Sequence, residues 1–168
     1  VSHAKTLGYT TRSSRAPKAT VHVYLNTENT NATIPSGTVF NTTVGGPGTI
    51  TDASYQFVTV EDVTVSNIGN VVPFMNIPIY EGSYVSSRYT VDNQNVEQRF
   101  LIHDDRVDTT TLTVKVQNSS TDTTQTTFSL ATDIAALTST SNVYFLQEVE
   151  AGKFEVYFGD GILGNDVS

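Results

Sequence analysis

The 168-residue chain has no cysteine and no tryptophan. Without thiols there is neither a disulfide framework nor a thiolate zinc site. Charge is also scarce, at 15% of residues, and its balance is acidic, with seventeen Asp and Glu against nine Lys and Arg. The resulting net charge of −8 argues against a nucleic-acid binder, which needs a basic face for its phosphate contacts. Four basic residues (Lys5, Arg12, Arg15, Lys18) fall within the first 18 positions and read as a solvated or partner-packed lead-in. No stretch approaches the roughly 20 apolar residues of a membrane span, and no signal peptide is visible, so no membrane partner is expected. A valine start and a finish just after a glycine-rich turn give the expectation that the chain is a piece of a longer polypeptide.

What the chain has in place of charge is threonine, serine and asparagine, and a hydrophobic content of 38% that is ample for one domain or two small ones. Threonine is β-branched and suits the wet face of a strand. Apolar residues recur with a period of two: Val21, Val23 and Leu25; Leu112, Val114 and Val116; Phe154, Val156 and Phe158. Each alternation marks a strand with one face toward a core. Turn clusters separate these runs, at Asn26–Asn31, Gly45–Gly48, Asn67–Asn70, Asp92–Asn95, Asn118–Asp122 and Glu150–Gly152. The fold class expected is mainly β: antiparallel sandwich or barrel-like subdomains with at most one short helix. That helix is a turn or two around Ile134–Leu137, capped by Thr132-Asp133.

Two stretches break the pattern. In Tyr55–Val65 the apolar phase slips from Val58 and Val60 to Val63 and Val65, which requires a bulge or a turn at Glu61-Asp62. Val71–Tyr80 holds Pro73 and Pro78, which cannot donate to a central ladder, and is expected to be an edge strand or irregular crossover. A composition shift near Glu81-Gly82 divides the chain into residues 1–82, a lead-in and first β subdomain, and 83–168, a second β subdomain; no internal repeat is visible.

Polar constellations that could carry chemistry each have a simpler reading. His103-Asp104-Asp105-Arg106-Val107-Asp108 offers mixed nitrogen and oxygen ligands, but it lacks the alternating acidic spacing of a calcium loop and reads as an acidic hairpin turn. There is no G-x-S-x-G to aim a serine, and His3, His22 and His103 have simpler assignments in the lead-in, a strand's polar phase and the acidic turn. Asp52, Glu61, Asp62 and Glu81 could supply a glycosidase pair, yet the eight tyrosines and eight phenylalanines mostly fall in strand phases and read as core or interface. Gly45-Gly46-Pro47-Gly48 lacks the lysine and helix of a phosphate loop. The sequons at Asn31, Asn41 and Asn118 arise readily in a chain this rich in Asn, Thr and Ser. Phe158-Gly159-Asp160-Gly161 offers one carboxylate and no following helix, so it reads as a tight reversal secured by Asp160 after the hairpin Val143–Glu148/Lys153–Phe158. No catalytic, cofactor-binding or metal residue is therefore assigned.

The same residues resemble a family. YFLQEVEAGKFEVYFGDGILG is similar to the F-G-D-G-x-x-G segment of baseplate wedge proteins of contractile-tailed bacteriophages, the baseplate-J-like group. Leu7-Gly8-Tyr9, Arg12-Ser13 and Ala16-Pro17 resemble that group's lead-in, and Ile34-Pro35-Ser36-Gly37-Thr38-Val39-Phe40 its I-P-x-G-T-x-F hairpin. A fourth set runs through Tyr80-Glu81-Gly82, Gln98-Arg99-Phe100, Val107-Asp108 and Thr110-Thr111-Leu112. The likeness is to the wedge subunit of the inner baseplate ring. It implies a structural, non-enzymatic part of the virion tail baseplate, assembled in the bacterial host cytoplasm. Its partners would be other wedge subunits and itself, as a homo-oligomer, with no nucleic acid, membrane or small-molecule substrate and no cofactor. The reading from another class is a β-sandwich binding module, either a surface adhesin or a carbohydrate-binding domain.

Overall fold

The computed structural model describes residues 13–45, 53–92, 94–95, 97–150, 152–159 and 167. The described residues form eleven strands and two single-turn 3-10 segments, with no α-helix. The chain divides into two compact units. Unit 2 is the continuous segment Ala16–Ser86, and unit 1 comprises Val1–Arg15 together with Ser87–Ser168.

Unit 2 has two layers. One is a four-stranded antiparallel sheet in the order β1-β6-β4-β3, from β1 (Lys18–Asn26), β6 (Val71–Glu81), β4 (Ala53–Val58) and β3 (Val39–Val44). The other is a ribbon of β2 (Asn31–Ile34) and β5 (Val63–Ser66). Alternation along the ribbon puts Ala32, Ile34, Val63 and Val65 on one face, where they pack on Val21, Val23, Val72, Phe74 and Ile77 of the sheet. The opposite face is polar, and Thr33 and Thr64 pair hydroxyl to hydroxyl at 2.7 Å. The phase slip at Glu61-Asp62 is a turn, because β4 and β5 belong to different layers.

Thr59 stands at that change of layer and is 1% exposed. Its hydroxyl donates to Pro35 O (2.7 Å) and accepts from Thr38 N (3.0 Å). Its backbone N–H donates to Thr38 O (3.1 Å), and its carbonyl accepts from Gly37 N (2.7 Å). The Pro35–Thr38 turn linking β2 to β3 is thereby fastened to the β4–β5 turn, with every polar group of the buried threonine satisfied, as burial demands.

Strand β6 corrects the expectation drawn from its prolines. It is the longest strand and lies inside the sheet order, between β1 and β4. Its register with β1 pairs Val21 with Ile77 and Val23 with Phe74, so one extra residue is accommodated at Met75-Asn76. Asn76 takes the left-handed conformation there (φ 57°), a region asparagine tolerates better than most residues. Its N–H donates to Nδ1 of His22 at 3.0 Å. Pro73 and Pro78 are five residues apart, so an unbroken strand would turn one of them toward β1 as a missing donor. The bulge restores phase: both prolines lie opposite β1 residues of the same parity, Tyr24 and Thr20. On its other side β6 meets β4 only at Tyr80 and Glu81, beyond both prolines. The apolar phase slips at the same point, from Val72 and Phe74 to Ile77 and Ile79, all four of which are buried.

Unit 1 is built on a five-stranded curled sheet in the order β7-β11-β10-β9-β8, from β7 (Phe100–Ile102), β11 (Lys153–Phe158), β10 (Val143–Glu150), β9 (Gln125–Leu130) and β8 (Val114–Gln117). All neighbours are antiparallel except β9 and β10, which run parallel over Ser129-Leu130 and Val143-Tyr144. One face gathers Phe128, Tyr144 and Val156 with Phe100, Ile102, Val114, Val116 and Phe158, so residues from both edge strands share one core. The rings of Phe128 and Phe158 meet edge to face at 5.3 Å although their strands are separated by β10, as expected over a concave face. The segment before unit 2 belongs to this unit: Ser13 Oγ accepts from Thr109 N (3.1 Å) and Thr109 Oγ1 (2.8 Å).

The helix expected at Ile134–Leu137 is a 3-10 turn over Ile134–Ala136, with Asp133 accepting from Ala135 N. A second one, Thr109–Thr111, is capped by Asp108. At the β10–β11 hairpin Gly152 has φ 84°, and a Cβ there would stand 3.0 Å from Asp105 O. Neither conformation nor space admits a side chain.

Substitutions at two positions test these local constraints. Thr59→Val keeps the shape but removes the hydroxyl's bonds to Pro35 O and Thr38 N, which stay bonded to one another, and should cost unit 2 about 0.5–1.5 kcal/mol, with Thr59→Ser closer to wild type. Asn76→Gly should be near neutral, while Asn76→Val should lose about 1–2 kcal/mol from the left-handed conformation. Urea denaturation of each variant reads both effects.

Candidate interaction surfaces

The acidic cluster is not a hairpin turn. It leaves β7 at one edge of the five-stranded sheet and leads, through the Thr109–Thr111 turn, to β8 at the other edge. The sheet closes its order through β9–β11, which come later in the chain, so local spacing could not distinguish a hairpin from this crossover. Two of its three carboxylates bond backbone: Asp104 Oδ1 accepts from Arg106 N (2.8 Å), and Asp108 Oδ1 from Thr110 N (3.0 Å). His103 is exposed beside them. Among the described residues no group of three His, Asp or Glu side chains is arranged to hold a metal ion.

The remaining candidates are scattered. Asp62 Oδ1 accepts from Ser36 N at 2.7 Å, in the turn that also holds Thr59. Glu61 is exposed in the same turn, and Glu81 ends β6 opposite Phe57. Asp52 and His3 lie outside the described residues, as do Asp160 and Gly161 of the FGDG stretch and most of the Gly45–Gly48 turn. His22 is engaged at the Asn76 bulge. Of the sequon asparagines, Asn31 and Asn41 are exposed on strands, and Asn118 donates to Asp122 Oδ2 (2.9 Å). An open cavity of about 460 Å³ is bounded by Thr109, Leu112, Thr127, Phe128, Leu130 and Tyr144, without a charged group. Burial raises the Tyr144 phenol above its ordinary value, so it stays a neutral hydroxyl.

Three surface features remain. The outer face of the five-stranded sheet carries an aromatic cluster: Phe145 stacks on Tyr157 at 5.2 Å, and the Arg99 guanidinium lies 4.7 Å over the Tyr157 ring while bonding Glu155 at 2.6 Å. On unit 2, Tyr24 and Met75 are exposed beside the bulge, with the Tyr24 hydroxyl 3.3 Å from the Met75 sulfur. The third is the β3–β4 hairpin, whose far half has no other strand partner among the described residues. One face of it presents Phe40, Thr42 and Val44 with Tyr55 and Phe57; the other presents Asn41, Thr43, Ser54 and Gln56. Val44 is 58% exposed and Tyr55 40%.

Charge separates the two units. Unit 2 holds six charged residues in all (Lys18, Glu28, Asp52, Glu61, Asp62, Glu81), and the other twenty belong to unit 1. A free surface normally carries about 25–35% charged residues, and interface cores are depleted of them.

Sheet edges, exposed apolar faces and carboxylates committed to turns describe a β-rich polypeptide with surfaces suited to contact with other proteins. Residues 87–168 match the family model of the bacteriophage baseplate wedge protein gp6, third domain, and this match supports a baseplate wedge protein fragment. The match begins at Ser87, where unit 1 resumes, and takes in the whole five-stranded sheet. The lead-in and I-P-x-G-T-x-F stretches lie outside the matched residues. No curated protein matches the chain.

The β8–β9 turn gives a pH-dependent signal. Hydrogen bonds from the Thr124 side chain, Asn118 and the Thr124 N–H hold the Asp122 carboxyl at about 2, below its ordinary 3.8. A depressed folded value means that the stabilisation is present above the ordinary value and is lost as pH falls through the folded one. Carboxyl NMR titration should therefore find Asp122 ionised at pH 3, and Thr124→Val should return its midpoint toward 3.8.

Proposed function

We propose that the chain is a passive structural part of the baseplate wedge, acting through protein–protein interfaces in baseplate assembly and in the triggering of sheath contraction. The observation that carries this is the family match across residues 87–168. The charge-poor surface of unit 2 supports it, because a face meant to stay in water would not be so depleted. The neighbours are other wedge subunits and further copies of this chain. Nucleic acid and membrane have no part in this reading: the net charge is −8, and no helix among the described residues is long and apolar enough to cross a bilayer. No catalysis is assigned, since the polar clusters are used to shape turns.

The two units are read as consecutive wedge domains, with the lead-in and second half sharing one of them. Assembly takes place in the host cytoplasm, before the particle is released.

The test is incorporation. Phage in which the gene is disrupted should yield tail parts without complete baseplates, and supplying the intact gene in trans should restore contractile particles. Normal baseplates without it would overturn the reading, as would specific glycan binding by a monomeric chain that never enters a wedge.

A further inference from the structure

We infer that the outer edge of β3 is a self-pairing strand: two copies of this chain join antiparallel across Val39–Val44, merging their four-stranded sheets into one. This rests on the reading that the chain works through protein interfaces.

β3 ends the sheet order β1-β6-β4-β3, and among the described residues no strand pairs its outer side. Its backbone donors and acceptors on that side form a ready template for another strand. Natural edges are usually blunted by lysine, proline, a bulge or brevity. The other outermost strands of the two larger sheets have such a device, and the ribbon strands β2 and β5 are only four residues long. β1 carries Lys18 and faces a bulged ladder, β7 has three residues, and β8 has four including Lys115. β3 has none: VFNTTV is uncharged, lacks proline, and keeps six unbroken pairs with β4. The far half of the hairpin it belongs to is also a two-stranded element, of the kind that is marginal in water without further strands.

The occupant follows from charge and register. Each copy carries −8, so copies can meet closely only where charge is absent. β3 lies within residues 29–51, the longest stretch of the chain without a charged residue. Two-fold pairing keeps like faces together, so opposed residues must have the same parity. The pairing centred on Thr42 uses the strand from Phe40 to Val44 and sets Phe40 of each copy against Val44 of the other. Apolar meets apolar, and the face bearing Tyr55 and Phe57 becomes continuous across the axis. The strand is thus complementary to itself in this register.

The absence of cysteine makes a clean test. In the full chain, Thr42→Cys should form a disulfide-linked dimer under mild oxidation, since the two thiols meet at the axis; Asn41→Cys should link much more slowly. Light scattering should give about twice the 18.2 kDa chain mass for wild type, falling to the monomer for Val44→Lys with an unchanged circular dichroism spectrum. A monomeric wild-type chain, or faster linking through Cys at 41 than at 42, would overturn the inference. A chain that stays monomeric yet enters wedges would sink this pairing while leaving the proposed function standing.

Discussion

One buried hydroxyl holds unit 2 in register with itself. The ribbon β2–β5 has only four residues per strand, too little to persist in water alone. It is kept over the sheet by its apolar face and by Thr59, whose backbone and side chain together engage Pro35, Gly37 and Thr38. The Ile34–Phe40 stretch therefore has a physical meaning. Proline supplies an acceptor carbonyl without needing a donor, glycine takes φ 80° and donates to the Thr59 carbonyl, and Thr38 is engaged by both the hydroxyl and the backbone N–H of Thr59. With the layers fixed, β3 must leave the turn as the sheet's last strand, and its outer edge faces away from every described partner.

Unit 1 solves the same problem of a small β core by different means. Among the described residues it curls one sheet rather than stacking two, so that β7 and β8 from opposite edges reach a common cluster around Phe128 and Phe158. Such curvature requires long connections, and the acidic segment 103–108 is the first of them. Its carboxylates make turns rather than a ligand shell, while Gly152 lets the hairpin approach Asp105 closely. Charge gathered in one unit leaves the other nearly free of it.

Much of this was legible in the chain itself. Period-two alternation located β1, β8, β10 and β11, the Asn- and Gly-rich clusters located several turns, and Asp133 marked its single-turn cap. β6 was misjudged because each proline was weighed alone. The decisive signal was the phase slip between Phe74 and Ile77, which places a bulge between the prolines and makes both harmless to the ladder. The acidic segment was misjudged for a different reason. Whether two strands flanking a turn pair with one another depends on strands not yet reached in the chain, and no local pattern records that. The layer change at Thr59 was visible only as a slip, without its hydrogen bonds. The edge at β3 required the strand order, which is likewise non-local.

The two units place opposite demands on solubility. Charged surface keeps a chain apart from its neighbours, and unit 1 holds twenty of the charged groups. A charge-poor sheet with an unblunted edge is a liability in a free chain, because the features that favour a specific partner also favour indiscriminate strand pairing. Such a surface is tolerable where partners are present at high local concentration and cover it soon after folding. The proposed place in a baseplate wedge would meet that condition, and it would account for the polar but uncharged threonine, serine and asparagine at the exposed positions. They keep the strand soluble while it waits and impose little desolvation when it is covered, whereas a charge on the same strand would have to be paired or stripped of water.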